Sequence, residues 1–378
     1  MKKPPGAAAA KTNAGNFFED FSLGQTLVHA TPRTVTAGDV SLYTALTGNR
    51  FAVASSDEFA KAIGFSAAPL DSMLAFNIVF GKTVTDISLN AVANLGYAEG
   101  RFLAPVYPGD TIAATSEVIG LKQNSNGKTG TVYVRTKGTK GGAPILEYVR
   151  WVMVAKRQPD SPAPEPVVPS LADHVPASEL VVPDGLETSA YPVARAGAAH
   201  LWDDYVVGER IDHVDGMTIE EAEHQLATRL YQNTARVHFD AARAQGSRFG
   251  RRLIYGGHVI SVVRALSFNG LANGFWIAAI NGGRHVAPAF AGDTIYAWSE
   301  VLAVDSLPDR NDLGAVRLRT LATRDAPYVE PVGEHGGADA VLLDFDYTVL
   351  MPRRQACPAP NPDRTMSGSQ VDLVESSD

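Results

Sequence analysis

Apolar residues recur along this chain with two periods, and each period appears in both halves. In the second half, Ala222, Leu226 and Leu230 fall every fourth residue behind Thr218 and Glu221, whose spacing predicts a capping box and a helix. From Gly256-Gly257 onward, Val259, Val262, Val263 and Leu266 form a second stripe at helical spacing, which predicts a central, largely buried helix. The period then shortens to two. Thr111 to Val118, Thr131 to Thr136 and Tyr148 to Val154 are rich in β-branched and aromatic residues, with a turn signal at Asn124-Ser125-Asn126-Gly127, and read as strands. Thr294 to Val301, Ala315 to Thr320 and Val341 to Leu350 repeat them. Helices followed by antiparallel strands predict an α+β fold, a long helix wrapped by a curved sheet.

The repetition extends to the residues themselves. Arg101 to Val118 and Arg284 to Val301 are identical at 11 of 18 positions with an offset of 183. Unrelated segments would share about one such position, so the unit is duplicated. Upstream, Leu46-Thr47-Gly48-Asn49 parallels Leu230-Tyr231-Gln232-Asn233 at an offset of 184. By the last strand the offset has grown to 197, which predicts a longer hairpin around Tyr328 to Ala338 in the second copy.

Between the copies the chain changes character. Pro159, Pro162, Pro164, Pro166 and Pro169 are followed by Pro176, Pro183 and Pro192, a spacing that blocks helix and central strand and predicts an extended connector. The expected organisation is a disordered N-terminus over 1–15, a first unit over 16–157, a linker over 158–200, a second unit over 201–355 and a mobile tail over 356–378.

Composition narrows the function. A formal charge of −8 with scattered Lys and Arg disfavours nucleic acid or an anionic membrane as partner. The single cysteine, Cys357, cannot form an internal disulfide and fits a reducing, cytoplasmic setting. No segment is long and apolar enough for a secretory signal or a bilayer span. The histidines show no ligand pair beside a carboxylate, and no glycine-rich nucleotide loop opens a βαβ unit, so no metal is expected.

The C-terminal copy contains Gln232-Asn233-Thr234-Ala235-Arg236-Val237-His238, then Phe239-Asp240-Ala241-Ala242, then Leu253-Ile254-Tyr255-Gly256-Gly257-His258. These motifs resemble the MaoC-like (R)-specific enoyl-CoA hydratases of the hotdog fold, and the likeness covers nearly the whole chain outside linker and tails. It implies a tandem (double) hotdog. Only His238 matches the family's catalytic histidine, since its counterpart in the first copy is Ala54, and only Gly257 matches the helix-start glycine, since its counterpart is Met73. The resemblance therefore implies a catalytic C-terminal copy and a degenerate N-terminal one. The family's aspartate is Asn233 here and Asn49 in the other copy, and an asparagine orients a partner without titrating. Further likeness, carried also by Arg264-Ala265-Leu266-Ser267-Phe268-Asn269-Gly270, implies a subgroup that reversibly hydrates mesaconyl-CoA (2-methylfumaryl-CoA), a short, branched, dicarboxylic enoyl-CoA.

Adding water to an enoyl thioester needs a proton acceptor for water, a proton donor for the α-carbon and donors for the enolate oxygen. His238 is the expected acid–base group, with Asn233 orienting the water or the thioester side. Gly256 and Gly257 would present backbone N–H groups at a helix start. Tyr255 and His258 are expected to line the pocket, and Arg236, Arg264 and Arg284 are candidate partners for the free carboxylate. Each also has a structural reading: Asn233 as a helix-end residue, the glycine pair as a turn, His258 as a helix cap and Arg284 as architecture, since Arg101 matches it in the repeat. CoA itself is substrate, so no cofactor is expected, and the sequence leaves assembly open, a homodimer included. A hotdog acyl-CoA thioesterase and a non-catalytic acyl-CoA-binding module share these features.

Overall fold

The computed structural model describes residues 11–327 and 341–357. Of the disordered N-terminus expected over 1–15, residues 1–10 lie outside the described residues, as do the longer hairpin expected around Tyr328 to Ala338 and, of the mobile tail expected over 356–378, residues 358–378.

The first copy runs β1 (Thr26–Thr34), α1 (Ala37–Thr47), α2 (Ala52–Ser55), α3 (Asp57–Ala62), α4 (Ser72–Thr83), β2 (Ala91–Phe102), β3 (Thr111–Gln123), β4 (Thr129–Lys140) and β5 (Ala143–Ala155). A linker containing α5 (Val193–Ala196) leads to the second copy. That copy runs β6 (Arg210–Thr218), α6 (Glu221–Leu230), α7 (Arg236–Phe239), α8 (Ala241–Gln245), α9 (Gly256–Leu266), α10 (Phe268–Leu271), β7 (Trp276–His285), β8 (Thr294–Ser306), β9 (Leu313–Arg324) and β10 (Val341–Pro352). The six strands read from the sequence are all present. Four further strands, β1, β2, β6 and β7, are not legible in the apolar pattern, because polar residues and, in three of them, glycines break the alternation.

The ten strands form one antiparallel sheet in the order β1-β3-β4-β5-β2-β7-β10-β9-β8-β6. The order is palindromic about the β2–β7 junction, so the duplication has become a two-fold relation within one sheet. Joining at β2 and β7 removes the edge that each five-stranded unit would expose. Tyr97 pairs with Gly283 and Arg101 with Ala279 across that seam. The central helices α4 and α9 meet in the concavity, where Asn77 Nδ2 donates to Ser261 Oγ at 2.9 Å. One hydrophobic core runs through both copies. This is the tandem hotdog expected from the motifs.

The linker crosses the outside of the sheet. Val167 and Leu121 exchange backbone hydrogen bonds, the Val175 N–H donates to Asn281 Oδ1 at 2.9 Å, and Thr188 is bound to Asp312. At the other end of the first copy, Ala14 accepts hydrogen bonds from Asn90 and Arg236.

The entrance to α6 differs from the sequence reading. Thr218 ends β6, with its hydroxyl bound to Thr294, and Glu220 is the N-cap, paired with Glu223. The expected apolar face is also rotated: Ala222 and Leu226 are exposed, while His224, Ala227 and Thr228 are buried. The buried face is partly polar because it faces the site, which a count of apolar positions alone cannot register.

Candidate active site

The candidate site lies where α9 begins, and what it can offer follows from what the helix start lacks. The first N–H groups of any helix have no intrahelical acceptor. Tyr255, the N-cap of α9, makes no side-chain cap, and among the described residues neither Gly256 nor Gly257 N–H has a hydrogen-bond acceptor. Both glycines are required by close approach. A Cβ on Gly256 would lie 2.3 Å from Cε1 and Nε2 of His285, and one on Gly257 would lie 2.1 Å from Asn77 Oδ1 and 2.5 Å from the Tyr255 hydroxyl. The Asn77 Oδ1 and Tyr255 hydroxyl oxygens that crowd Gly257 are both buried without a hydrogen-bond partner.

His238 lies in α7, half-buried, its ring 5.6 Å from that of Tyr255. Its Nδ1 is 2.9 Å from the carbonyl oxygen of Leu253. A carbonyl only accepts, so Nδ1 carries the proton and Nε2 presents a lone pair. Burial pushes its pKa down to about 4, so the ring is neutral near neutral pH.

His224 of α6 accepts the Tyr255 N–H through Nε2 at 2.9 Å and anchors the turn into α9. Its ring is 6.2 Å from that of His238 and 6.4 Å from that of His258. Desolvation pushes it down to about 3, with His238 and His258 adding to the shift. His258, on α9, is buried with Nδ1 3.4 Å from the Tyr231 hydroxyl, and desolvation pushes it down to about 4. His285, at the end of β7, is half-buried against Gly256 and 3.2 Å through Nε2 from the Tyr97 hydroxyl. Four histidine rings therefore surround one helix start. His224 and His285 were not singled out from the sequence, although a signal existed: at the repeat offsets their counterparts are Val40 and Phe102.

Asn233 is buried, its Oδ1 accepting the Ala235 N–H at 3.1 Å and its Nδ2 without a partner. The equivalent Asn49 makes the same turn with Phe51, but its Nδ2 donates to Asp71 at 2.7 Å.

Tyr255, Gly256, Gly257, His238 and His258 thus come together; of the three candidate cations, Arg236 shares α7 with His238 and Arg264 shares α9 with the glycines, whereas Arg284 lies on β7. Arg264 is in the core, 3.6 Å over the Phe51 ring and bound to Ser267 and the Gly274 carbonyl. Arg284 is exposed and lies 3.9 Å from Asp344. Arg236, in α7 with His238, donates to the Leu89 and Ala14 carbonyls and to Asn90 Oδ1, all neutral acceptors. Among the described residues no group of His, Cys, Asp and Glu could hold a metal ion, and no helix is long and apolar enough to cross a membrane. A surface depression lined by Glu187, Ser189, Arg310 and Asp312 lies against the linker and contains none of these residues.

The chain is similar to known proteins over most of its length. A family profile described as mesaconyl-CoA hydratase matches residues 7–333. A β-methylmalyl-CoA dehydratase of Chloroflexus aurantiacus is 63% identical over 352 residues, covering 92% of this chain and 99% of the relative. A mesaconyl-CoA hydratase of Cereibacter sphaeroides is 59% identical over 346 residues, covering 91% and 100%. Among solved structures, a MaoC domain protein dehydratase from Chloroflexus aurantiacus aligns with a TM-score of 0.89 at 64% identity, covering 92% of this chain and 100% of that one. A double-hotdog protein of Mycobacterium tuberculosis aligns at 0.70 with 24% identity, covering 90% and 99%, a likeness of fold alone.

Proposed function

Because the chain belongs to the mesaconyl-CoA hydratase family, we propose that it adds water reversibly to mesaconyl-CoA, giving β-methylmalyl-CoA, at the start of α9. It is a hydro-lyase. The observation that supports this site above the others is the open helix start: two free N–H groups beside a neutral histidine whose Nε2 lone pair is unused.

The step assigned to these residues balances with one acid–base group. His238 Nε2 removes a proton from water as the water oxygen bonds to the β-carbon. The π electrons move through the conjugated thioester onto its oxygen, which the Gly256 and Gly257 N–H groups receive at the positive end of the helix. His238 then returns the proton to the α-carbon, the enolate collapses and the free enzyme is restored. Asn233, with Nδ2 uncommitted, is the group proposed to orient the water. For the substrate carboxylate we favour Arg236, whose charge meets only neutral acceptors among the described residues.

The CoA phosphates need cations as well. Arg248, Arg251 and Arg252 stand in the loop before α9 where, at the offset of 184, the first copy has Gly64, Ala67 and Ala68. Arg252 is paired with Glu221, whereas Arg251 stacks 3.8 Å over the Phe290 ring and Arg248 lies 5.2 Å over the Phe249 ring. Phe249 packs in turn on Phe290. We read Arg248 and Arg251 as the phosphate anchors.

The test mixes the protein with mesaconyl-CoA, crotonyl-CoA and a medium-chain enoyl-CoA while following enoyl absorbance and free thiol. Loss of absorbance without thiol release, fastest with mesaconyl-CoA, is the expected result. Thiol release would indicate a thioesterase, and binding without turnover an acyl-CoA-binding module.

A further inference from the structure

The family's second acid–base group is absent here, since Asn233 cannot titrate, yet His285, an ionisable side chain at the helix start, has no task in the mechanism above. His285 packs directly on Gly256. The only hydrogen-bond partner of its ring among the described residues is the Tyr97 hydroxyl, at 3.2 Å from Nε2. Tyr97 is buried, and this ring nitrogen is in turn its hydroxyl's only partner among the described residues. A buried hydroxyl places its hydrogen on an available acceptor. The proton therefore lies on the bond from Tyr97 to Nε2, and the neutral imidazole carries its own hydrogen on Nδ1, which has no acceptor.

The seam between the copies sets up this contact. Tyr97 is the register partner of Gly283, where a Cβ would meet the tyrosine ring at 2.8 Å. Side chains two apart on a strand share a face, so a ring lying across position 283 reaches position 285. The first copy places Phe102 where the second has His285, so the arrangement exists on one side of the two-fold only.

Resting on the hydration assigned above, we propose that His285 is a catalytic residue of that reaction: its Nδ1–H donates to the thioester oxygen as the enolate forms, and Tyr97 of the N-terminal copy is the positioning residue that holds it in that tautomer. No proton leaves His285. It acts as a neutral electrophile beside the Gly256 and Gly257 N–H groups, and His238 alone moves the proton. Burial, together with the nearby His238, pushes the pKa of His285 down to about 4, which keeps the ring neutral near neutral pH. A neutral donor aimed at a developing oxyanion stabilises the transition state without a charge that would also bind the ground state. The N-terminal copy, which lacks the histidine and glycine of the motif, thus supplies part of the site.

The experiment compares wild type, His285→Phe, His285→Asn and Tyr97→Phe for kcat and KM with mesaconyl-CoA. It also records the infrared carbonyl stretch of bound methylsuccinyl-CoA, the saturated analogue. His285→Phe should lower kcat about 10²–10³-fold, the loss typical of one oxyanion donor, with little change in KM. The bound carbonyl stretch should move back toward its value in water. His285→Asn restores an N–H near the Nδ1 position and should recover part of both losses. Tyr97→Phe frees the tautomer and should lower kcat by a smaller factor with KM unchanged. Wild-type kcat in His285→Phe overturns the proposal, as does a fall in kcat with no change in carbonyl stretch, which marks a purely structural role. If His285→Phe does not fold, the asparagine and Tyr97 variants decide by the same two readouts. A wild-type protein that fails to hydrate mesaconyl-CoA instead strikes the functional assignment on which this proposal rests.

Discussion

The starts of the two central helices occupy equivalent places and have opposite chemistry. At α4, Asp71 accepts the Met73 N–H at 2.8 Å, the Tyr43 hydroxyl at 3.1 Å and Asn49 Nδ2 at 2.7 Å. That end is closed. At α9, Tyr255 stands where Asp71 would be, so the Gly256 and Gly257 N–H groups, Asn233 Nδ2 and the Tyr255 hydroxyl are all left without partners among the described residues. A buried polar group without a partner costs about 1–3 kcal/mol, so the open end is the less stable design by itself. It is tolerated because the seam joins both units into one sheet and one core. One copy supplies stability and the other spends part of it on a receptive helix end.

The largest consequence of this division is sensitivity to acid. The second copy buries His213, His224, His258 and, more partially, His238 and His285, all pushed by desolvation to between about 3 and about 4. Their unfolded pKa is about 6.5, so between that value and 4 the unfolded chain binds more protons than the folded one. The sign is then fixed: stability is full above pH 6.5 and is lost as pH falls toward 4, by up to about 1.4 kcal/mol per pH unit for each histidine. Urea midpoints between pH 7.5 and 5 should fall steeply. His258→Leu, carrying the residue of the first copy at that position (Leu74), should flatten the slope by one histidine's share. A midpoint independent of pH would contradict the neutral cluster.

His238→Ala tests the asymmetry in catalysis. Turnover should fall about 10²–10⁴-fold, with circular dichroism and thermal unfolding close to wild type, because the first copy already accommodates Ala54. In the wild type, kcat/KM should stay level from neutral pH downward and fall only as His238 is protonated near pH 4, or earlier where the protein itself unfolds.

Replacing the paired asparagines should separate their roles. Asn233→Ala removes a donor with no structural partner together with the turn hydrogen bond from the Ala235 N–H, and should lower kcat, by less than the histidine substitution, at a stability cost of about 1 kcal/mol. Asn49→Ala removes a hydrogen bond to Asp71 and should cost about 1.5–3 kcal/mol of stability with kcat retained. Urea unfolding and steady-state kinetics on both variants check the contrast, and an exchange of the two phenotypes would reverse the assignment of the copies.

The smallest expected effect is none. Ala54→His should add no second activity, since Met73 replaces the helix-start glycine and Asp71 already occupies the Met73 N–H at α4. Recovery of hydration when Ala54→His is placed in a His238→Ala background would show that the first copy keeps a usable site.

Several features were determined by the sequence alone. The duplication, the central helix with its apolar stripe and six strands could be read from residue types at fixed spacing, because helix and strand periodicity are local properties, whereas His238 and the glycine pair were picked out by resemblance to a known family and by their absence from the first copy. The tertiary structure decided the rest. His224 and His285 reach the helix start from α6 and β7, and Tyr97 reaches it from the other copy, across separations in sequence that no local pattern reports. The same holds for Arg264, which local reading offered as a carboxylate partner and which packing places in the core against Phe51. The misread face of α6 has the same origin: His224 is buried because a backbone N–H from α9 needs its lone pair, a requirement that exists only once the two helices are packed together.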